Sequence, residues 1–153
     1  MKFDTVSAPL SEQAQRAVNQ ETKLLFVYGT LKRGFSNHRL LEECKFVEEG
    51  CMSGVMYSLG GFPGMVVSDG LCDTVHGEVY EVTDFTRLDQ LEGYYAHAPE
   101  RSLYLRDKQP YFSTRKDKNG FSFISIRESI YVYIFNRSTE GLELIKDGVW
   151  RHR

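Results

Sequence analysis

The chain has 153 residues, 41% of them hydrophobic and 26% charged, the balance of an ordinary soluble globular domain, so one domain is expected. Its 19 Lys and Arg are scattered among 21 Asp and Glu for a formal charge of -2, which leaves no basic patch for nucleic acid. No apolar run approaches the roughly 20 residues of a membrane helix, and the N-terminus lacks the basic-then-apolar order of a signal peptide; a cytoplasmic protein with no membrane partner is expected.

A domain of this size buries roughly two thirds of its unfolded surface and needs no metal or disulfide staple. Cys44, Cys51 and Cys72 are odd in number, without CxxC spacing and without paired histidines nearby. They indicate neither a zinc site nor a disulfide framework, and reduced, partly buried thiols are expected.

Residues 1–22 are polar, with a short helix over Ser11 to Asn19, and read as an N-terminal appendage to a domain over 23–153. Leu24-Leu25-Phe26-Val27-Tyr28 is a continuous aromatic and branched run, the pattern of a strand buried on both faces. It ends at Gly29. After the stretch from Gly29 to Gly34, Ser36 is the expected N-cap of a short helix carrying Leu40 and Leu41 and ending near Cys44.

Phe46-Val47, Val55-Met56-Tyr57 and Met65-Val66-Val67 follow, separated by Gly50, Gly54, Gly60, Gly61, Pro63 and Gly70, and read as short strands joined by turns. Val75 to Val82 alternates as a strand. Thr83 or Asp84 caps a helix in which Phe85, Leu88 and Leu91 recur at three-residue spacing and Gly93 is the terminating glycine, which puts Glu92 in the last turn. Ser102 to Arg106, Tyr111 to Arg115 and Phe121 to Asn136 read as further strands, the last two joined by a turn at Lys116-Asp117-Lys118-Asn119-Gly120. Two or three short helices among about six strands, out of regular alternation, indicate an α+β domain with a curled or barrel-like sheet.

Gly29 and Gly34 have the spacing that opens a phosphate-binding loop, but that motif continues with Lys and Ser or Thr where this chain has Phe35 and Ser36, so triphosphate binding is rejected. A buried strand that turns at Tyr28-Gly29-Thr30 towards a helix start leaves backbone N–H groups that neither element uses. Such donors suit a carboxylate or a developing oxyanion; the glycines serve equally well as plain tight-turn residues, and spacing does not choose between the two.

No G-x-S-x-G occurs and no histidine is paired with a cysteine or serine, so covalent catalysis has no support. His38 is assigned to the loop, His76 to a strand face, and His97 and His152 to solvent. Glu92 is placed against the helix macrodipole, which favours carboxylates early in a helix rather than late; it reads either as a functional group or as a stray exposed glutamate.

Taken together, FVYGTLKRG at Phe26 to Gly34, Asn37-His38, HGEVYEV at His76 to Val82 and LDQLEGY at Leu88 to Tyr94 resemble the γ-glutamyl cyclotransferase-like superfamily, in particular its γ-glutamylamine cyclotransferase (AIG2-like) branch. Phe62-Pro63, Ser102 to Arg106, Tyr131-Val132-Tyr133 and Asp147-Gly148-Val149-Trp150 extend the likeness over about Leu24 to Trp150. The resemblance implies a small mixed β-barrel with short flanking helices. It also implies a loop of Tyr28, Gly29, Thr30 and Leu31 that cradles the α-carboxylate and α-amine of a γ-glutamyl group, a catalytic Glu92, and a Tyr104 hydroxyl given to the substrate.

The implied reaction is an intramolecular C–N lyase step in which the substrate's own α-amine attacks its γ-carbonyl, releasing 5-oxoproline and a free amine. The nucleophile comes with the substrate, so no metal and no cofactor is expected, and the expected partner is a small γ-glutamyl molecule; the sequence assigns no oligomeric state. The shorter members of the superfamily lack the segment Tyr95 to Arg101. Two rival readings are a non-catalytic module that binds an amino-acid-like ligand in the same pocket, and a pathway-specific cyclotransferase that unmasks a γ-glutamyl-protected amine on a natural product.

Overall fold

The computed structural model describes residues 22–70 and 72–152; the expected helix over Ser11 to Asn19 lies outside them. Among the described residues seven strands are formed in chain order: β1 (Lys23–Val27), β2 (Lys45–Ser58), β3 (Pro63–Val67), β4 (Thr74–Val82), β5 (Tyr104–Lys116), β6 (Ser122–Phe135) and β7 (Glu143–Ile145). One α-helix, α1 (Thr86–Glu92), and two 3-10 helices, His38–Leu41 and Pro99–Arg101, flank them.

The sheet closes on itself. β2 pairs β4, β4 pairs β1, β1 pairs β6, β6 pairs β5, and β5 returns to β2. Five strands thus make a barrel, in which β1 and β6 run parallel and every other ladder is antiparallel. This is the mixed barrel with short helices that the sequence led us to expect. The far half of β2 leaves the barrel to pair β3 on one edge and β7 on the other.

β1 is buried on both faces, as its unbroken apolar run requires. Phe26 points into a core with Met52, Val75, Val79, Tyr111 and Val132, contributed by all five barrel strands, so this cluster fills the lumen. Leu25 and Val27 face the other way, into a second core with Leu41, Tyr80, Leu88, Tyr104, Tyr133 and Phe135 that the helices cover. Trp150 reaches the lumen from the C-terminal segment, where Gly148 at φ +67 lies against the Thr74 carbonyl.

Three expectations about elements are corrected. Phe46-Val47 and Val55-Met56-Tyr57 belong to a single 14-residue strand. Gly50 and Gly54 do not break it; they are where neighbouring chain comes too close for a side chain, since a Cβ would lie 3.0 Å from the Phe112 carbonyl at the first and 2.6 Å from Met65 Cε at the second. Likewise Tyr104 to Lys116 is continuous through Pro110, where a bulge in the β5–β6 ladder accommodates the missing N–H. Ser36 caps nothing: Asn37 occupies the cap position of the short 3-10 helix, and its side chain is used elsewhere. Cys44 and Cys51 are half-buried free thiols, whereas Cys72 is exposed. The turn expected at Lys116 to Gly120 is formed, with Asp117 Oδ1 accepting from the N–H groups of Asn119 and Phe121 and Gly120 at φ +87.

Candidate active site

Where β1 runs out, its last side chains and the loop that follows line a cavity of about 230 Å³. Tyr28, Gly29, Thr30, Leu31, Glu92 and Tyr104 all line it, so every residue singled out for the site opens onto one space. Phe62, Pro63, Leu91, Leu103, Asn37 and Tyr133 complete most of the wall. The volume is below the roughly 300–1,000 Å³ of sites that swallow drug-sized ligands, and fits the small end of a molecule.

The loop is built with its carbonyls occupied and its amides open. Gly29 O accepts from Lys32 N–H at 3.1 Å and Thr30 O from Asn37 N–H at 3.0 Å. Leu31 O lies 2.9 Å from the His38 ring Nδ1, which makes Nδ1 the protonated nitrogen, since a carbonyl only accepts. Asn37 also donates from Nδ2 to Thr30 Oγ1 at 2.9 Å. No described residue accepts a hydrogen bond from the N–H of Gly29, Thr30 or Leu31. Three consecutive amide donors beside a cavity form a concave site for an oxygen-bearing anion. Gly29 is required by a close approach: a Cβ there would stand 2.7 Å from Pro63 Cγ.

Across the cavity, α1 ends at Gly93, whose φ of 65° and ψ of 39° are left-handed, and Glu92 is its last residue. Among the described residues the Glu92 carboxylate has no hydrogen-bond or ion-pair partner, and burial pushes its pKa from 4.5 up to about 7. The residue keeps some exposure through the cavity it lines, but the carboxyl itself is desolvated, which disfavours its charged form.

Three phenols surround it, and each has committed its proton elsewhere. Tyr28 donates to the Tyr133 carbonyl at 2.7 Å, Tyr104 to the Pro63 carbonyl at 2.6 Å, and Tyr133 to Asp89 Oδ1 at 2.7 Å. Burial first, and the nearby Glu92 charge among the lesser causes, raise all three phenol pKa values. The Tyr104 hydroxyl is thus not the free donor expected for it; it offers a ligand an oxygen lone pair. Tyr28 also accepts from Met65 N–H at 3.1 Å, so its ring is fixed as a wall.

Sequence reasoning missed Asn37 as the residue that sets the loop, and missed Asp89, Arg106 and Tyr133 behind Glu92. All four fall within the motif strings, yet side-chain bonds spanning 7, 17 and 44 positions leave no periodic signal to read. His152, assigned to solvent, is exposed but stacks on Phe35 with centroids 4.2 Å apart. Among the described residues no cluster of His, Cys, Asp and Glu could hold a metal ion, and no helix is long and apolar enough to cross a membrane.

The site is thus a small cavity at the end of the first strand of a mixed barrel, lined both by a run of open amides and by a desolvated glutamate that no described residue pairs. The chain belongs to the AIG2-like gamma-glutamyl cyclotransferase family, whose model matches residues 25–152. It is 37% identical over 117 residues to the gamma-L-glutamyl-butirosin B gamma-glutamyl cyclotransferase of Niallia circulans, covering 74% of this chain and 67% of that protein. It is 29% identical over 130 residues to the gamma-glutamylcyclotransferase family protein YtfP of Escherichia coli, covering 84% of this chain and 96% of the relative. The crystal structure of an AIG2-like protein from Mus musculus shares the fold with a TM-score of 0.55 at 24% identity, over 86% of this chain and 96% of that one.

Proposed function

We propose that this chain is a γ-glutamyl cyclotransferase: it positions a γ-glutamyl amine or peptide so that the α-amine attacks the γ-carbonyl, closing a five-membered lactam and expelling the amine. The α-amine nitrogen forms a bond to the γ-carbon, and the amide C–N bond breaks. Of the three hydrogens on the starting α-ammonium, one remains on the 5-oxoproline nitrogen and two pass to the departing amine. Glu92 carries both and ends as it began. The reaction changes no oxidation state.

The observation that carries this reading is the Glu92 carboxyl, partnerless and half-protonated near neutral pH, facing three unused backbone donors across one small cavity. The amides of Gly29 to Leu31 hold the α-carboxylate and thereby aim the neighbouring α-amine. A pKa near the operating pH is the optimum for a group that must both take and give a proton. Orientation is the larger contribution: effective molarities of ~10⁵–10⁸ M are known for well-aligned intramolecular attack, while acid/base help adds ~10²–10⁴-fold.

The relative from Niallia circulans is named for a γ-glutamyl-butirosin, which supports a second form of the same reading in which the amine belongs to a larger natural product. The cavity is in keeping with it, because a volume of about 230 Å³ suits the small γ-glutamyl end and its lining includes the exposed side chains of Phe62 and Leu91. The test is to incubate the protein and its Glu92→Gln variant with a panel of γ-glutamyl amines and peptides and follow 5-oxoproline by mass spectrometry. Product with the wild type alone supports the proposal; binding without product from any compound supports the non-catalytic module instead.

A further inference from the structure

The helix that carries Glu92 has little of its own to hold it. α1 is seven residues long and buries only Leu88, and a helix this short has no stability apart from its packing. Three residues before Glu92, on the same side of the helix, Asp89 makes three hydrogen bonds to the strands behind it. Its Oδ1 accepts from the Tyr133 hydroxyl at 2.7 Å and from Arg106 Nε at 3.0 Å, and its Oδ2 accepts from a terminal Arg106 nitrogen at 3.3 Å.

Arg106 and Tyr133 are opposite each other in the β5–β6 ladder, so one carboxylate fastens the helix to both strands. The guanidinium is gripped as well as paired. Phe85, just before α1, lies with its ring centroid 4.2 Å away, Tyr131 of β6 at 5.2 Å and Tyr94, just after Gly93, at 5.4 Å. Rings from both ends of the helix therefore close on the cation that its middle binds. On the far side, the Tyr133 carbonyl takes the Tyr28 hydroxyl proton, which joins the helix clamp to the end of β1 where the amide nest begins.

We propose that the Asp89–Arg106 pair is a positioning device for Glu92, setting the distance between its carboxylate and the amide nest; this rests on the catalytic reading of Glu92 given above. The fork matters more than the charge, because a planar guanidinium fixes a carboxylate along two bonds while an ammonium fixes it along one. Misplacement of about 1 Å at a reacting group costs on the order of 10²-fold in rate, so a small pivot of α1 is enough to abolish most turnover.

The titratable groups that face Glu92 are Tyr28 just after β1, Tyr104 from β5 and Tyr133 from β6, with Asp89 on its own helix. Arg106→Lys keeps the charge near this group and removes the fork; Asp89→Asn keeps an acceptor for Tyr133 and removes the ion pair. Both are to be assayed on folded protein, verified by near-UV circular dichroism, for kcat, KM and the pH dependence of kcat with a γ-glutamyl amine that the wild type turns over.

The expected result is a fall in kcat on the order of 10²-fold with KM within about threefold, and, in Arg106→Lys, an acid limb moved down towards the ordinary value of 4.5 as Glu92 swings into water. A strut with no positioning role leaves kcat and the limb of the folded variants where the wild type has them, which overturns the proposal. Should Asp89→Asn not fold, Tyr133→Phe deletes one bond of the clamp while keeping the buried ring, and the same kcat and limb criteria decide. A wild type that makes no 5-oxoproline from any compound sinks the catalytic reading and the positioning role together; an active wild type with unimpaired variants sinks the positioning role alone.

Discussion

Gly29 and Pro63 are packed so closely that a single methyl group cannot be added between them: a Cβ on Gly29 would meet Pro63 Cγ at 2.7 Å and Cδ at 2.8 Å. Pro63 opens β3, and its carbonyl takes the proton of Tyr104. A rigid ring on one side and a nest of open amides on the other leave only the loop or the strand to give way. Gly29→Ala is expected to cost about 1–3 kcal/mol, the usual range for overpacking a well-filled site. Because the displaced element is a wall of the cavity on either outcome, KM for a γ-glutamyl compound rises as well. Thermal unfolding and steady-state kinetics on the same preparation check both effects.

Replacing Glu92 by Gln is expected to make the protein stabler as it makes it inactive. The folded carboxyl titrates near 7 and its ordinary value is 4.5, so between those pH values the folded state holds a proton that the unfolded chain has released. Wild-type stability is therefore full below about 4.5 and falls as pH rises towards 7, by on the order of 3 kcal/mol at the far end. The amide that replaces the carboxyl in the variant does not titrate. Denaturant unfolding at pH 4.5 and pH 8 should show the variant ahead of the wild type only at the higher pH; equal gaps at both count against a desolvated carboxyl.

On the proposed mechanism the same group sets the activity profile. Glu92 must be deprotonated to accept a proton from the substrate ammonium, so kcat is expected to climb from acid pH and level off above about 7. A limb centred near 4 instead would mean that the substrate complex leaves the carboxyl in water.

Asn37 and Thr30 are coupled through the Nδ2 to Oγ1 bond at 2.9 Å. Either Asn37→Ala or Thr30→Val breaks it, at about 0.5–1.5 kcal/mol, and the second substitution should add little to the first. In a double-mutant cycle on KM the two changes are expected to be non-additive, with kcat less affected because Glu92 is untouched. Additive effects would show that the bond does not shape the nest.

No Lys, Arg or His lines the cavity among the described residues, and Glu92 is the only carboxylate there. One anionic group of a ligand can be met by the amides of Gly29 to Leu31; a second, carried on the departing amine, meets none and faces Glu92. γ-Glutamyl alkylamines are therefore expected to be turned over with higher kcat/KM than γ-glutamyl amino acids, by about tenfold or more, which is about 1.4 kcal/mol. The reverse ranking, measured by 5-oxoproline release, would point to a cation brought to the mouth by binding.

β1 and its loop were legible because a double-faced strand writes an unbroken apolar run, and the glycine that follows marks where it stops. Glu92 was singled out by the resemblance carried on Leu88 to Tyr94, because its unfavourable place beside a terminating glycine did not by itself separate a functional carboxylate from a stray exposed one. β2 was misread because Gly50 and Gly54 carry no sign of whether they end a strand or let a neighbour approach; only the positions of Phe112 and Met65 distinguish the two. The clamp behind Glu92 was invisible for a third reason, since Asp89, Arg106 and Tyr133 stand on three elements and meet only in the closed barrel.

Tyr28 and the carbonyl that takes its proton are 105 positions apart in the chain, and Tyr104 and Pro63 are 41 apart. Contacts between such distant positions are entropically expensive to close and form slowly. The β2–β3 and β5–β6 hairpins can assemble from neighbouring segments, but the parallel β1–β6 ladder must wait for a strand made about a hundred residues after its partner. After dilution from denaturant, backbone circular dichroism should recover before turnover does, making catalytic competence the last property that the refolding chain regains.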